Sequence, residues 1–563
     1  MLFDFLQQFL YATIFFFGIA GIGNLVLGRL GYSPRQQSLL NLAIAYFFSL
    51  CLYIVVVVAV LFLTPFSDKS TSLILVTVLY GTASFAILGY YLNRSRERLV
   101  DFYQSNQRFI LIFFATLLVA LFLFFLQTYR TAILDEWLHR PIVSEFISHG
   151  IFPLVNPLTQ DTNYIQTYHY GTQVVASAIA LVFSLDASTA LDVFKLSYFL
   201  ATTFLFFGII YFWTLKPYLA IAGAVLVVFS GSSFFFLDSF TASHLISFKG
   251  WGLSEGEHWP INAALSYILT GITWINIPLV IAFGWLSEQL AIPFFRRSSK
   301  TLPILILGLV GVGFYLISEL FLVVLLVAIT PFIVYTACQE KAIKSLLISG
   351  CIVALIVILG IFFSGGVIGK ILQSKLSCLV TSSCQTNVVE SDSVVVAPSS
   401  VNIERAAPGF LILRSPSLWG YPSEKRILVI WDRPWYYLRT LMLELLILVL
   451  LAYAGHKKMS IWKEHPILTV ILAIGLIGPF FFSTSFLNVN FSKTTTASFV
   501  LLHIFIFYLI ARLPLQRWFA GVLIIFLFLG SISGLLIGSN IQWQWLSSKG
   551  KSQFCSQNPL CEK

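Results

Sequence analysis

FILIFFATLLVALFLFFLQ, residues 109–127, carries no charged side chain, and TYRTAILDEWLHRPIVSEFISHG, residues 128–150, follows it at once. A membrane-spanning helix needs ~20 mostly apolar residues, so the first stretch fits a span. The second, with three acids, two arginines and two histidines, must leave the membrane. Asp135-Glu136 therefore lies near the membrane surface.

The whole chain has this character. Of its 563 residues 58% are hydrophobic and only 10% charged, with a mean hydropathy of +0.88. A soluble chain carries about a quarter charged residues. Fifty-four Phe and 23 Tyr cannot all hide in one water-soluble core of this size, so lipid must solvate much of the surface. Only helices and closed barrels satisfy their backbone in lipid, and the apolar runs are continuous rather than alternating. The fold class expected is all-α: a polytopic integral membrane protein of about fourteen transmembrane helices. The expected spans are 8–28, 39–63, 72–92, 109–127, 188–214, 218–237, 267–292, 302–317, 320–337, 345–364, 435–455, 466–483, 497–512 and 518–538. The pair 302–317 and 320–337 is short and reads as a bent hairpin. The first apolar run has no basic flank and is long enough to stay in the membrane, unlike a cleaved signal.

Lys and Arg concentrate on cytoplasmic loops. Here they crowd alternate short loops, for example Arg94, Arg96, Arg98 and Arg108, then Arg296, Arg297 and Lys300, then Lys457, Lys458 and Lys463. These loops are expected in the cytoplasm, and both termini outside. The net charge of +10 follows from those loops and gives no reason to invoke nucleic acid. The cytoplasmic loops are short and hold no GxxxxGK[ST] phosphate loop, which argues against ATP-driven pumping. Four of the seven cysteines, Cys378, Cys384, Cys555 and Cys561, fall in expected outside segments as two close pairs, each able to close a small disulfide loop.

Four outside segments are long: 128–187, 238–265, 365–434 and the tail 539–563. In the first, Pro141 can open and Gly150 can end a short helix, placing Glu145 and His149 on one face. Residues 172–185 are too short for a span and read as a helix lying on or dipping into the membrane surface. A carboxylate beside the bilayer can act as general base toward an acceptor hydroxyl or amine. Carboxylate and histidine together can hold a divalent cation, which would neutralise a phosphate leaving group. Asp135 and Glu136 are the candidates for catalysis, with His139, Tyr168, His169 and Tyr170 around them. The plainer alternatives are a solvated loop start, a Glu136–Arg140 ion pair and structural histidines.

The segment 130–215 resembles the first extracytoplasmic loop of GT-C fold membrane glycosyltransferases, such as protein O-mannosyltransferases and the aminoarabinose transferase of lipid A. It is most similar to their uncharacterised bacterial and archaeal members. The counterparts are Asp135-Glu136 after a span, the PIVSEFISHG helix, Ile151-Phe152-Pro153, Tyr168-His169-Tyr170-Gly171 and the helix 172–185. Two features depart from the better-known members: three spans precede the acidic pair, and YHYG replaces a Lys-Pro-Pro-Leu-like motif. The resemblance implies a GT-C-like core over 109–364, with 1–108 as additional N-terminal helices and 435–538 as C-terminal helices. It also implies transfer of a sugar from a polyprenyl-phosphate donor to an acceptor on the outer face of a bacterial inner membrane. Asp135 would be the base and Glu136 would position the acceptor or a metal.

A donor phosphate needs cations, and Lys249, Arg433 and Arg439 are the candidates. Glu255, Glu257 and His258, with His169, offer ligands for a divalent metal ion; a solvated polar loop is the competing reading. Glu319 and Glu444 are acids inside expected spans, where charge is costly and often functional. Glu444 and Arg439 are close enough in sequence to pair. A transporter or flippase, and a non-catalytic scaffold subunit of GT-C-like shape, are the alternative functions.

Overall fold

The structure is a computed structural model. It describes residues 1–32, 38–64, 69–94, 96, 104–129, 139–150, 152, 170–229, 276–296, 301–364, 412–413, 434–455, 461–483, 492–513 and 515–547. These residues are almost wholly helical. In chain order they form α1 (Leu2–Leu30), α2 (Ser38–Leu63), α3 (Ser70–Arg94), α4 (Gln107–Thr128), α5 (His139–His149), α6 (Gly171–Phe183), α7 (Ala187–Thr214) and α8 (Pro217–Phe229). Then follow α9 (Asn276–Arg296), α10 (Thr301–Ile317), α11 (Glu319–Gln339), α12 (Ile343–Ser364), α13 (Pro434–Gly455), α14 (Ile461–Glu464), α15 (Pro466–Phe481), α16 (Ser492–Arg512) and α17 (Arg517–Ser547). One antiparallel two-residue pairing joins β1 (Ile412–Leu413) to β2 (Phe482–Ser483).

Among the described residues nine helices are long and apolar enough to cross a membrane. They overlap nine of the expected spans, with Gln107–Thr128 for 109–127, while for 267–292 only the part from Asn276 is described. The other five expected spans meet shorter apolar helices. The chain is thus an all-α membrane protein.

Burial runs from the middle outward. Along the most apolar stretch of α7 every residue is buried, and α16 is nearly as enclosed, whereas α3 and α12 turn most of their residues outward. α7 touches α1, α2, α4, α5, α6, α8 and α16, so it is the axis of the bundle. Close approach of backbones is the means of helix association in lipid. At Gly313 of α10 an added Cβ would stand 2.1 Å from the carbonyl oxygen of Cys51 on α2, so only glycine fits that crossing.

Polar contacts fix which helix ends share a side. At one end the Tyr129 hydroxyl after α4 donates to Asp4 of α1 at 2.9 Å, and Lys69 N–H before α3 donates to Gly150 O after α5 at 3.1 Å. At the other end Arg296 of α9 grips Glu340 after α11 at 2.7 and 3.1 Å. Arg512 of α16 donates to Trp213 O of α7 at 3.1 Å, and Tyr508 donates to Glu464 at 2.5 Å. Each contact joins ends that alternate spanning puts on the same side.

Two elements differ from expectation. Helix α6 does not lie against lipid: Gly171 through Ala180 are all buried, packed by α3, α5, α7 and α10. Helices α10 and α11 meet at Ser318, which caps α11, but α10 packs chiefly on α2 and α12 while α11 packs on α9 and α15. They part from their junction instead of forming a self-packed hairpin.

Candidate functional site

Helix α5 runs His139–His149, starting two residues before Pro141, and ends where Gly150 takes a left-handed φ of 61°. Glu145 and His149 pair along one face at 3.0 Å, as their spacing implies. The other face is apolar: Ile142, Val143 and Phe146 are buried against α6 and α7.

His139 is fully buried. Its Nδ1 lies 2.7 Å from Nε2 of Gln173, while the Thr172 hydroxyl donates to the Gln173 amide oxygen at 2.9 Å. The Gln173 amide N–H then points at His139, which accepts at Nδ1 and carries its own proton on Nε2. Nδ1, engaged by the amide, is not open to a metal.

An aromatic ladder completes the contact. Phe62 at the end of α2 meets Phe152 edge-on with centroids 4.9 Å apart, and Phe152 meets Tyr170 edge-on at 5.9 Å. Tyr170 is buried, which raises its phenol above the ordinary tyrosine value and leaves it a hydrogen-bonding group, not a base. Gly171 brings the start of α6 so close to α10 that a Cβ would sit 2.9 Å from Leu316 O. The helix 139–149, the Phe152 turn and the Tyr170-Gly171 helix start are therefore one packed layer.

Arg140 acts on Asp186, the residue that caps α7. Partial burial alone would raise the Asp186 carboxyl; the Thr189 hydroxyl, the backbone N–H groups of Thr189 and Ser188 and the Arg140 charge outweigh it and hold it below the usual carboxylate range. The carboxylate oxygens take those bonds at 2.6–3.1 Å.

The end of the bundle that carries this layer is rich in buried polar groups. Gln127 and Thr128 close α4, Asn276 opens α9, Ser318 and Glu319 open α11, and Thr494, Thr495 and Thr496 open α16, all at most 5% exposed. Asp192 and Lys195, 2% and 1% exposed, lie one turn apart on α7, the helix on which α5 and α6 both rest. The sequence reading passed over this pair; an acid and a base three apart inside an apolar 28-residue run was the signal.

Of the residues singled out from the sequence, the structure brings together His139, Tyr170 and the helix 139–149. Asp135, Glu136, Tyr168, His169, Lys249, Glu255, Glu257, His258 and Arg433 lie outside the described residues. Arg439 falls in α13, but its side chain also lies outside them. Among the described residues no three His, Cys, Asp or Glu side chains converge as a metal site, and the ligands suggested for one, His169, Glu257 and His258, are not among these residues. Cys51, Cys338 and Cys351 are free thiols. No family model, curated protein or solved structure matches the chain.

Proposed function

We propose that the protein is a membrane glycosyltransferase of GT-C type, which moves a sugar from a polyprenyl-phosphate carrier to an acceptor on the outer face of the membrane. The observation that carries this reading is the gathering of buried polar side chains at one end of the bundle, beneath the layer of α5 and α6. They give that end a polar interior within an otherwise apolar bundle, and polar groups at membrane depth are often functional. The pattern of residues 130–215 names the chemistry: Asp135 as general base toward the acceptor and Glu136 as its neighbour. The four residues from Asp135 to His139 tether the acid to the buried end of α5, and the His139–Gln173 bond holds that end on α6. Lys249, Arg433 and Arg439 are the proposed cations for the donor phosphate. The positive-inside distribution of Lys and Arg supports placing this end outside the cytoplasm.

The test uses purified full-length protein and a panel of hexosyl- and pentosyl-phosphate polyprenols, read as release of free polyprenyl phosphate. Loss of a general base lowers the rate ~10²–10⁴-fold. Asp135→Asn is expected to show that loss with donor binding retained, and full activity in Asp135→Asn overturns the base assignment. Donor that crosses vesicle membranes without cleavage would instead establish the flippase alternative.

A further inference from the structure

Helices α4 and α7 run antiparallel, and their aromatic rings fix the register between them. Phe109 meets Phe207 with centroids 6.3 Å apart, Phe113 meets Phe204 at 6.1 Å, and Phe124 stacks on Phe199 at 4.1 Å. One turn beyond that last stack, Gln127 and Thr128 of α4 stand level with Lys195 of α7. The faces agree with the levels. Gln127 and Thr128 come three and four residues after Phe124, and Lys195 comes four before Phe199, so each shares the side of its ring. Asp192, a further turn along α7, continues the same stripe. Phe229, the last residue of α8, lies 6.0 Å from Phe199 and completes a floor of three rings.

The four polar residues are at most 2% exposed and the three rings at most 4%. Gln127 decides what the stripe is for. Neither its amide nitrogen nor its amide oxygen has a hydrogen-bond partner among the described residues. An amide left so in an apolar interior costs free energy, which a ligand that both accepts and donates would recover. The Thr128 hydroxyl donates to Phe125 O at 3.2 Å and keeps its lone pairs. Lys195 offers three N–H donors and Asp192 two acceptor oxygens, more than a single partner of either can use. The two charges cancel, so the group has no net charge. A phosphate drawn to Lys195 would meet the Asp192 carboxylate as well. A neutral ring with several hydroxyls fits better, since each hydroxyl donates and accepts while the C–H groups pack on the phenyl floor.

We propose that Gln127, Thr128, Asp192 and Lys195, over the floor of Phe124, Phe199 and Phe229, form the subsite for the sugar ring of the lipid-linked donor. The inference rests on the glycosyltransferase reading for the donor and deepens it by dividing the labour. Lys249, Arg433 and Arg439 serve the phosphate, and this uncharged cluster serves the sugar. Asp135 follows Thr128 by seven residues, so the chain passes from the subsite straight into the proposed catalytic segment.

The test measures binding without acceptor, by full-length protein in lipid nanodiscs. Each hexosyl- and pentosyl-phosphate polyprenol is compared with bare polyprenyl phosphate. Wild type is expected to bind one glycosylated carrier more tightly than the bare one. Gln127→Leu replaces an unpartnered amide with an apolar chain of similar size, so it is expected to fold. It should lose ~10-fold of that preference and keep its affinity for the bare carrier. Thr128→Val is the second variant, with a loss in the same direction, and it decides where Gln127→Leu does not fold. A preference that the folded variants retain overturns the subsite, and so does a wild type that binds bare and glycosylated carriers equally. A preference lost in the variants of a protein that cleaves no donor upholds the subsite and overturns the transfer reading. Donor cleavage with the preference intact in the variants does the reverse.

Discussion

Glu288 shows how much one side chain can hold. Its Oε1 accepts the free N–H groups of Ile467 and Leu468 at 2.8 and 3.2 Å, and so serves the start of α15. Its Oε2 accepts from His465 Nδ1 at 3.0 Å, and His465 Nε2 in turn accepts from the Trp213 indole at 2.7 Å. Trp can only donate, so the chain of bonds has a single consistent direction from α7 to α9. Both partners of the Glu288–His465 pair are under 7% exposed. Removing one partner of a buried pair leaves the other uncompensated and costs about 3–5 kcal/mol. Glu288→Ala is expected to lose stability on that scale in detergent unfolding, and Glu288→Gln less, because its amide oxygen still accepts the two N–H groups. At the end that carries α5 and α6, Asp186 supplies a pH signature. Its carboxyl is held below the ordinary range, so its contribution is complete above the unfolded value near 4 and fades as pH falls through the folded one. Wild type and Asp186→Asn should therefore differ in melting temperature at neutral pH and converge in acid. An equal gap at all pH would show that the charge does not matter there.

Among the elements, α6 is the one whose environment the sequence concealed. A run of Ala, Ser and Val reads the same whether it faces lipid or other helices, and only packing decides. Its start is the sharper test. A side chain at Gly171 must displace Leu316 O and Ile54 of neighbouring helices. Overpacking costs about 1–3 kcal/mol, so Gly171→Val should destabilise by that much and, in a glycosyltransferase assay, depress transfer while Gly28→Ala, in open space, does neither. The apolar runs, by contrast, were legible because length and hydropathy alone define them: 109–127 became Gln107–Thr128. So was the 141–149 helix, whose Pro and Gly mark its ends. Glu288 and His465, 177 residues apart, did not stand out, because pairing across helices leaves no spacing to read. The same holds for His139 and Gln173, 34 residues apart.

At the scale of the whole molecule, the polar contacts divide the helix ends into two sets, and the distribution of Lys and Arg is the ground for proposing which set faces the cytoplasm. The two arguments are independent: the first uses distances between ends, the second uses only composition of loops. They meet at Cys338, an exposed free thiol two residues before Glu340, which binds Arg296. If the Arg296 end is cytoplasmic, Cys338 in intact cells must react with a membrane-permeant maleimide and resist an impermeant one. Cys378, Cys384, Cys555 and Cys561, read from the sequence as outside, must react with the impermeant reagent after reduction. The reverse pattern would invert the molecule and carry the α5–α6 layer into the cytoplasm. There a polyprenyl-phosphate donor would lose its rationale, because soluble sugar nucleotides are at hand. Reaction of all five thiols from one side would break the alternation itself, and with it the division of the bundle into two ends.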